Sequence, residues 1–500
     1  MPASGLADFC RKHRAALLLT ALGLALRLFM LGSRSLWFDE AATLYLSRSP
    51  LAQLIPAVAA LEENPPLHYL LMHFWTFFFA DPVLGLRLFS ALCGTAALLL
   101  FILFCEKTAP EESRFAGCLG ACSSFWIHFS QDGRIYALLL LLALAEGVLL
   151  FSLKKRWRTI PALAYAALAV AGLYTHNFFV FVLLAHLVDL ALFYRGRYGE
   201  APAVRKSVRP APAELPIPQV RPWLVLYGAV LVLYSPWLLH LRSQVRLLST
   251  ASVLQQTLSL RQLGTLTGTM LFDTSFLSFA HEPWTLALGF SGLALASAGL
   301  FLMRDRLQAD DLAVFCLVQW AVPLAALRLA EFLVHRALTQ ARYLIFISPF
   351  LYLWLALTVS RLGRRTGAVG KAVLAAVILA GSLGYAAGGR FVDPRLQGLS
   401  ERIRQDPDKR DPVVYLDPFY YLPMRHYYLP ERAHYLVGPR SDIANWDAMP
   451  GYKPYLADRA LLRLKRCVVI DPRHLMFDQR VGLASGRQVL QSVSSPGRSR

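Results

Sequence analysis

Apolar runs long enough to cross or nearly cross a bilayer recur eleven times along this chain of 500 residues, at 15–32, 84–104, 115–129, 135–153, 160–175, 178–194, 223–240, 284–303, 312–329, 343–360 and 371–388. A hydrocarbon core about 30 Å thick takes roughly 20 apolar residues per helix. The expected fold class is therefore a polytopic α-helical membrane protein with about eleven transmembrane helices. Composition agrees: 56% of residues are hydrophobic and 17% charged, against roughly 45–50% and 25% in soluble domains. That balance excludes a disordered, fibrous or small disulfide-stapled chain. The first run is too long for a signal peptide and no small-residue cleavage site follows it before Asp39 and Glu40, so it is read as an uncleaved helix.

The formal net charge is +19. Its distribution sets an orientation. With eleven spans, the segments on the N-terminal side carry 21 Lys and Arg, and the loops on the other side, the C-terminal segment aside, carry 8. Cytoplasmic loops are the Lys/Arg-rich ones. The expected topology places the N-terminus in the cytoplasm and residues 33–83 and 390–500 outside, periplasmic in a bacterial inner membrane. The loop 195–222 is basic and proline-rich and reads as a flexible cytoplasmic segment touching anionic lipid. No nucleic-acid module is recognisable. Of the seven cysteines only Cys467 lies in an outward segment, so no outward disulfide forms within one chain. No Asn starts an Asn-x-Ser/Thr sequon.

The domain organisation expected is a transmembrane module, 1–389, with a long first outer loop at 33–83, followed by a small α/β domain at 390–500. In the latter, Val413–Leu416, Tyr435–Val437 and Cys467–Ile470 read as short buried strands ending in turns, and 455–464 as a helix. The first outer loop is far beyond ordinary loop length. It holds a helix start at Asp39-Glu40, with both carboxylates where the helix dipole favours negative charge. A second apolar helix, 67–75, follows Pro65-Pro66.

Polar residues inside the membrane mark function, and here they collect at the outer ends of the spans: Arg27, Asp39, Glu40, Gln131, Asp132, Arg134, His176, Asn177, His240, Arg242, Arg336 and Arg342. Glu146 is the clearest midspan charge. A transporter would concentrate charge near the midplane. A lipid-linked saccharide flippase is the alternative function, and it lacks the internal repeats and polar midplane lining expected of it.

Five stretches carry a resemblance. Leu36-Trp37-Phe38-Asp39-Glu40-Ala41 resembles the Asp-Glu signature of the C-type membrane glycosyltransferases. Asn64-Pro65-Pro66-Leu67-His68-Tyr69 and Ser130-Gln131-Asp132-Gly133-Arg134-Ile135-Tyr136-Ala137-Leu138 resemble motifs of their bacterial protein-mannosyltransferase-like and lipid A aminoarabinose-transferase-like branch. Tyr174-Thr175-His176-Asn177 and Ala341-Arg342-Tyr343-Leu344 match as well. The departures are Asp132 where Glu is usual and Asn64 where His is common. The resemblance implies an enzyme that transfers a sugar from a polyprenyl-phosphate donor to an acceptor lipid, glycan or protein at the outer membrane face.

That chemistry needs cations for the leaving phosphate and one base for the acceptor hydroxyl. Direct displacement inverts the sugar, so a second catalytic carboxylate is not required. On the resemblance, Asp39 is the general base and Glu40 supports it. Arg134 is the leading phosphate ligand because guanidinium grips phosphate bidentately, with Arg342 second. The alternative for both is an interfacial anchor. His68, His176, Tyr136, Tyr343 and Gln131 complete the expected substrate-binding set. No cofactor and no obligatory metal are expected, although some members of the superfamily use a divalent ion. Arg27 either pairs with Asp39 or Glu40 or snorkels outward. The topology has a direct consequence: a reporter active only in the periplasm works when fused after residue 500 and fails within 195–222, and the reverse pattern contradicts the orientation.

Overall fold

The computed structural model describes residues 3–196, 217–250, 260–273, 282–334 and 340–388, then from residue 400 the short pieces 400–401, 403–404, 412–415, 423–431, 433–436, 467–470 and 482–484. Most of the 195–222 loop, Arg336, the side chain of Arg242, the 455–464 helix and the chain's tail lie outside the described residues.

In chain order the helices are α1 (Ala3–Lys12), α2 (Arg14–Leu28), α3 (Phe38–Ser47), α4 (Leu51–Leu61), α5 (Leu67–Trp75), α6 (Pro82–Thr108), α7 (Ser113–Ala121), α8 (Ser124–Gln131) and α9 (Tyr136–Leu153). They continue with α10 (Thr159–Thr175), α11 (Phe179–Tyr194), α12 (Ile217–Thr250), α13 (Leu260–Leu271), α14 (Glu282–Leu302), α15 (Arg304–Ala309), α16 (Asp311–Val334), α17 (Ser348–Arg361) and α18 (Arg364–Gly388). A 3-10 segment, Ala341–Ile347, leads into α17. The chain packs as two compact units. One comprises Met1–Leu31, Gly85–Leu239 and Val253–Gly389; the other comprises Gly32–Leu84, His240–Ser252 and Arg390–Arg500.

In the first unit all eleven apolar runs are helical. Among the described residues seven helical segments are long and apolar enough to cross a membrane: those on α6, α9, α12, α14, α16, Ala341–Arg361 and α18. This is a multi-pass membrane protein. α2, α10 and α11 are shorter, at 15, 17 and 16 residues. The third run, expected as one helix, is two. It breaks at Cys122-Ser123, where Ser123 Oγ accepts the Trp126 N–H at 3.1 Å and caps α8. Backbone exposed at such a break is tolerable in hydrocarbon only when protein groups satisfy it. Here Ser382 Oγ donates to the Cys122 carbonyl, and Ser123 shares a 2.8 Å hydrogen bond with the Tyr352 hydroxyl.

The Ala341–Arg361 segment is the most enclosed, 89% of its apolar window being buried. Trp126 Nε1 donates to Ser348 Oγ at 2.7 Å, and Trp354 Nε1 to the Ala296 carbonyl at 3.0 Å. α13 was not foreseen from its composition. It lies against α14 at backbone distance: a Cβ on Gly289 would meet the Gly264 carbonyl at 1.7 Å. Small residues that let backbones touch are a main route to helix association in membranes.

In the second unit the first loop folds as α3, α4 and α5. α4 adds to the two helices expected, with Pro56 inside it. The C-terminal segment contributes a four-stranded sheet in the order β2-β1-β3-β4, from β1 (Val413–Tyr415), β2 (His434–Leu436), β3 (Cys467–Ile470) and β4 (Gly482–Ala484). β1 pairs parallel with β2 and β3, and β3 antiparallel with β4. The first three strands coincide with the runs expected as strands. The loop and the sheet segment are tied directly, as the Leu36 N–H donates to the Tyr428 hydroxyl at 2.8 Å.

Candidate functional site

Two breaks between helices and one 3-10 start bring residues of three separate motifs together in the first unit. At the α8–α9 turn Asp132 leaves the helix with extended backbone, and the Arg134 N–H donates to its carbonyl at 2.8 Å. Arg134 is buried, and Tyr136, the first residue of α9, is 1% exposed. At the end of α10 His176 is extended. Its Nδ1 accepts the Phe178 N–H at 3.0 Å, so the neutral ring carries its proton on Nε2. That Nε2 is buried and has no hydrogen-bond partner among the described residues. Arg342 lies on the 3-10 segment, its guanidinium carbon 5.2 Å from the Tyr343 ring centre and 5.9 Å from that of Tyr136. The Tyr343 ring is in turn 5.5 Å from His176.

Two arginine charges act on His176. Burial first, and then the charges of Arg134 and Arg342, push the pKa of His176 from 6.5 down to about 3. A buried guanidinium, a half-buried one and a neutral N–H donor thus lie beside the rings of Tyr136 and Tyr343. Charged donors there act more strongly than in water, and the arrangement suits an anion with several acceptor oxygens, such as a phosphate. Behind the Tyr136 wall, Phe129 packs edge-on to Tyr136 at 5.2 Å and stacks on His128, whose Nδ1 bonds the buried Asp273 carboxylate. His128 and Asp273 are 145 residues apart, and no local signal in the sequence links them.

Gln131 and Arg27 have other work in view. After α2 the backbone is extended at Phe29 and left-handed at Met30, φ +55°. Gln131 Nε2 donates to the carbonyls of Arg27 at 2.9 Å and Phe29 at 2.8 Å, and its Oε1 accepts the Tyr385 hydroxyl at 3.0 Å. The amide closes the carbonyl end of α2, which would otherwise be unsatisfied. Arg27 does not snorkel. Its fully buried guanidinium donates to Ser130 Oγ at 3.1 Å and the Gly23 carbonyl at 2.9 Å. Gly94 leaves room for this, since a Cβ there would lie 2.0 Å from Ser130 Oγ.

In the second unit Asp39 and Glu40 occupy the first turn of α3, the positive end of its dipole. Adjacent helical residues point about 100° apart. Glu40 is buried and Asp39 half-buried. His73 Nδ1 lies 2.7 Å from the Ser47 carbonyl, joining α5 to α3, and His68 on α5 is fully buried. Among the described residues no three His, Cys, Asp or Glu side chains gather as a metal-binding group.

No protein-family model and no curated protein sequence matches the chain. Solved structures do. ArnT from Cupriavidus metallidurans in the apo state superposes with a TM-score of 0.59 at 14% identity, over 92% of this chain and 93% of that one. The chain has the fold of the C-type membrane glycosyltransferases. The same ArnT bound to undecaprenyl phosphate gives a TM-score of 0.54 at 12% identity, over 93% of this chain and 94% of the other. Within this C-type fold, Arg134, Tyr136, His176, Arg342 and Tyr343 form one cluster in the first unit, and Asp39, Glu40 and His68 belong to the second.

A depressed histidine pKa is a statement about stability. His176 is neutral when folded and titrates near 6.5 when unfolded, so the stability it supports is complete above pH 6.5 and is lost as pH falls from there towards about 3. Thermal melts of the detergent-purified protein between pH 7.5 and 5 should show a steeper loss for wild type than for His176→Gln. Parallel curves would contradict a buried neutral His176.

Proposed function

We propose that this chain is a glycosyltransferase that moves a sugar from a polyprenyl-phosphate donor to an acceptor lipid, glycan or protein. The observation that carries the reading is the cluster of Arg134, His176 and Arg342 within a C-type fold. The ArnT structure with undecaprenyl phosphate supports a lipid phosphate as its occupant. In this reading all eleven apolar helical runs span the inner membrane, the N-terminus is cytoplasmic, and the site opens to the periplasm.

The acceptor hydroxyl gives its proton to Asp39 as its oxygen attacks the anomeric carbon. The bond from that carbon to the phosphate oxygen breaks, configuration inverts, and polyprenyl phosphate departs with the bonding pair. Arg134 and Arg342 meet the charge that builds on the departing phosphate, and His176 Nε2–H donates to it. Because these donors are in place before reaction, they favour the transition state without a reorganisation cost. Tyr136 and Tyr343 wall the phosphate, and Glu40 and His68 hold the Asp39 turn and its neighbour α5. Gln131 contributes by closing the end of α2.

Transfer kinetics with purified protein and a panel of polyprenyl-phosphate sugars test the assignment. Asp39→Asn keeps the shape of the side chain and loses the proton acceptor, so the rate falls by about 10²–10⁴ while donor binding persists. Arg134→Ala lowers kcat/KM more than Arg134→Lys, which keeps the charge and loses the fork. Arg342→Ala behaves like Arg134→Ala but more mildly. Asp39→Asn within a few-fold of wild type removes Asp39 as base, and normal kinetics in Arg134→Ala make Arg134 an anchor only.

A further inference from the structure

The first unit has a second basic site at the opposite end of its helices from His176. α9 starts at Tyr136 in the His176 cluster and ends 18 residues later at Leu153, roughly 27 Å away at 1.5 Å per residue. Just beyond that end lies a cavity of about 650 Å³ whose lining includes Lys107, Lys155, Arg156, Arg158 and a single carboxylate, Asp310. Four helices and two connections meet here: the ends of α6 and α9, the α9–α10 connection, the start of α10, the α15–α16 connection and the start of α16.

The carboxylates nearby are already engaged. Asp311 receives Lys154 at 2.6 Å on one oxygen and Lys155 at 2.7 Å on the other, and Asp189 receives Lys154 at 2.8 Å. Asp310 lies 3.7 Å from Arg306. Lys107, Arg156 and Arg158 form no ion pair among the described residues, so the lining keeps a net positive charge. Arg158 precedes the N-terminus of α10, which adds the positive end of a 17-residue helix. The rest of the lining is mostly apolar, with Leu149 and Leu312 among it, and adds the hydroxyls of Thr108 and Ser152. Past Arg158, Ile160 is 82% and Leu163 65% exposed on α10. Cations at the mouth and bare apolar side chains beside them match a molecule with an anionic head and hydrocarbon tails. Basic pockets between transmembrane helices take such headgroups.

We propose that this cavity binds the phosphate headgroup of one anionic membrane phospholipid, held by Arg156 and Arg158 with Lys107, its acyl chains along the exposed face of α10. The site is independent of the transferase reading. Ordinary charged anchors would attract anionic lipid diffusely; a cavity between helices retains a counted molecule. The test is native mass spectrometry of the full-length protein, released from nanodiscs containing phosphatidylglycerol, phosphatidylethanolamine, or both. Wild type should retain one phosphatidylglycerol in preference to phosphatidylethanolamine. Arg156→Ala/Arg158→Ala should lower that retention by tenfold or more, and Arg156→Lys/Arg158→Lys should keep most of it. Millimolar inorganic phosphate should leave the lipid in place. Equal retention of both lipids, retention unchanged in the double alanine variant, or displacement by inorganic phosphate would each overturn the proposal. If the alanine variant does not fold, the preference of wild type between the two lipids and its resistance to phosphate decide the question.

Discussion

A backbone surrounded by hydrocarbon can leave the helix only where protein groups take up its N–H and C=O, and Gln131 meets that demand where α2 ends. Its amide donates to the carbonyls of Arg27 and Phe29 while Tyr385 donates to its oxygen. With those bonds made, the chain can turn through a left-handed Met30. The same demand is met at the α7–α8 break by Ser123, Tyr352 and Ser382. Arg134 and His176 stand on interruptions of this kind. Placed within regular helices, they would not meet Arg342 on the 3-10 segment.

The chemistry of the cluster follows from burial. A solvated histidine between two arginines would titrate near its ordinary range. In this site burial is the larger influence and the two guanidinium charges add to it, so His176 stays neutral and offers a fixed donor. A buried donor such as the Nε2–H of His176, without a partner among the described residues, is costly. An anion accepting from it relieves that cost. The rings of Tyr136 and Tyr343 lie 6.3 Å apart beside this site, Tyr136 buried and Tyr343 half-buried. On the second unit, the Tyr428 hydroxyl bonds the backbone two residues before α3 and helps to hold the turn that carries Asp39.

Much of this was readable in the sequence, for identifiable reasons. Apolar runs are a direct consequence of the solvent, so the runs are largely helical, the third as two helices, and seven described segments are long and apolar enough to cross a membrane. Residues of the Ser130–Leu138, Tyr174–Asn177 and Ala341–Leu344 motifs lie together in the first unit, and their types are those the proposed anion site would use. What stayed hidden depends on partners remote in sequence. The break at Cys122-Ser123 depends on side chains from α17 and α18. α13 is held by glycine contacts with α14 that its own weak hydropathy does not announce. α4 carries Pro56 inside it and is not among the two helices expected in the first outer loop. Gln131 belongs to a motif that suggests substrate, yet its hydrogen bonds go to α2. The Tyr428–Leu36 bond joins residues 392 positions apart.

The proposed reaction depends on Arg134, His176 and Arg342 jointly holding a lipid phosphate. A cryo-electron microscopy structure of the full-length protein in nanodiscs with undecaprenyl phosphate tests it most directly. Phosphate density is expected within hydrogen-bond reach of both guanidinium groups and of His176 Nε2. Density at a site that none of the three touches, with Nε2 of His176 facing only protein or water, would contradict it.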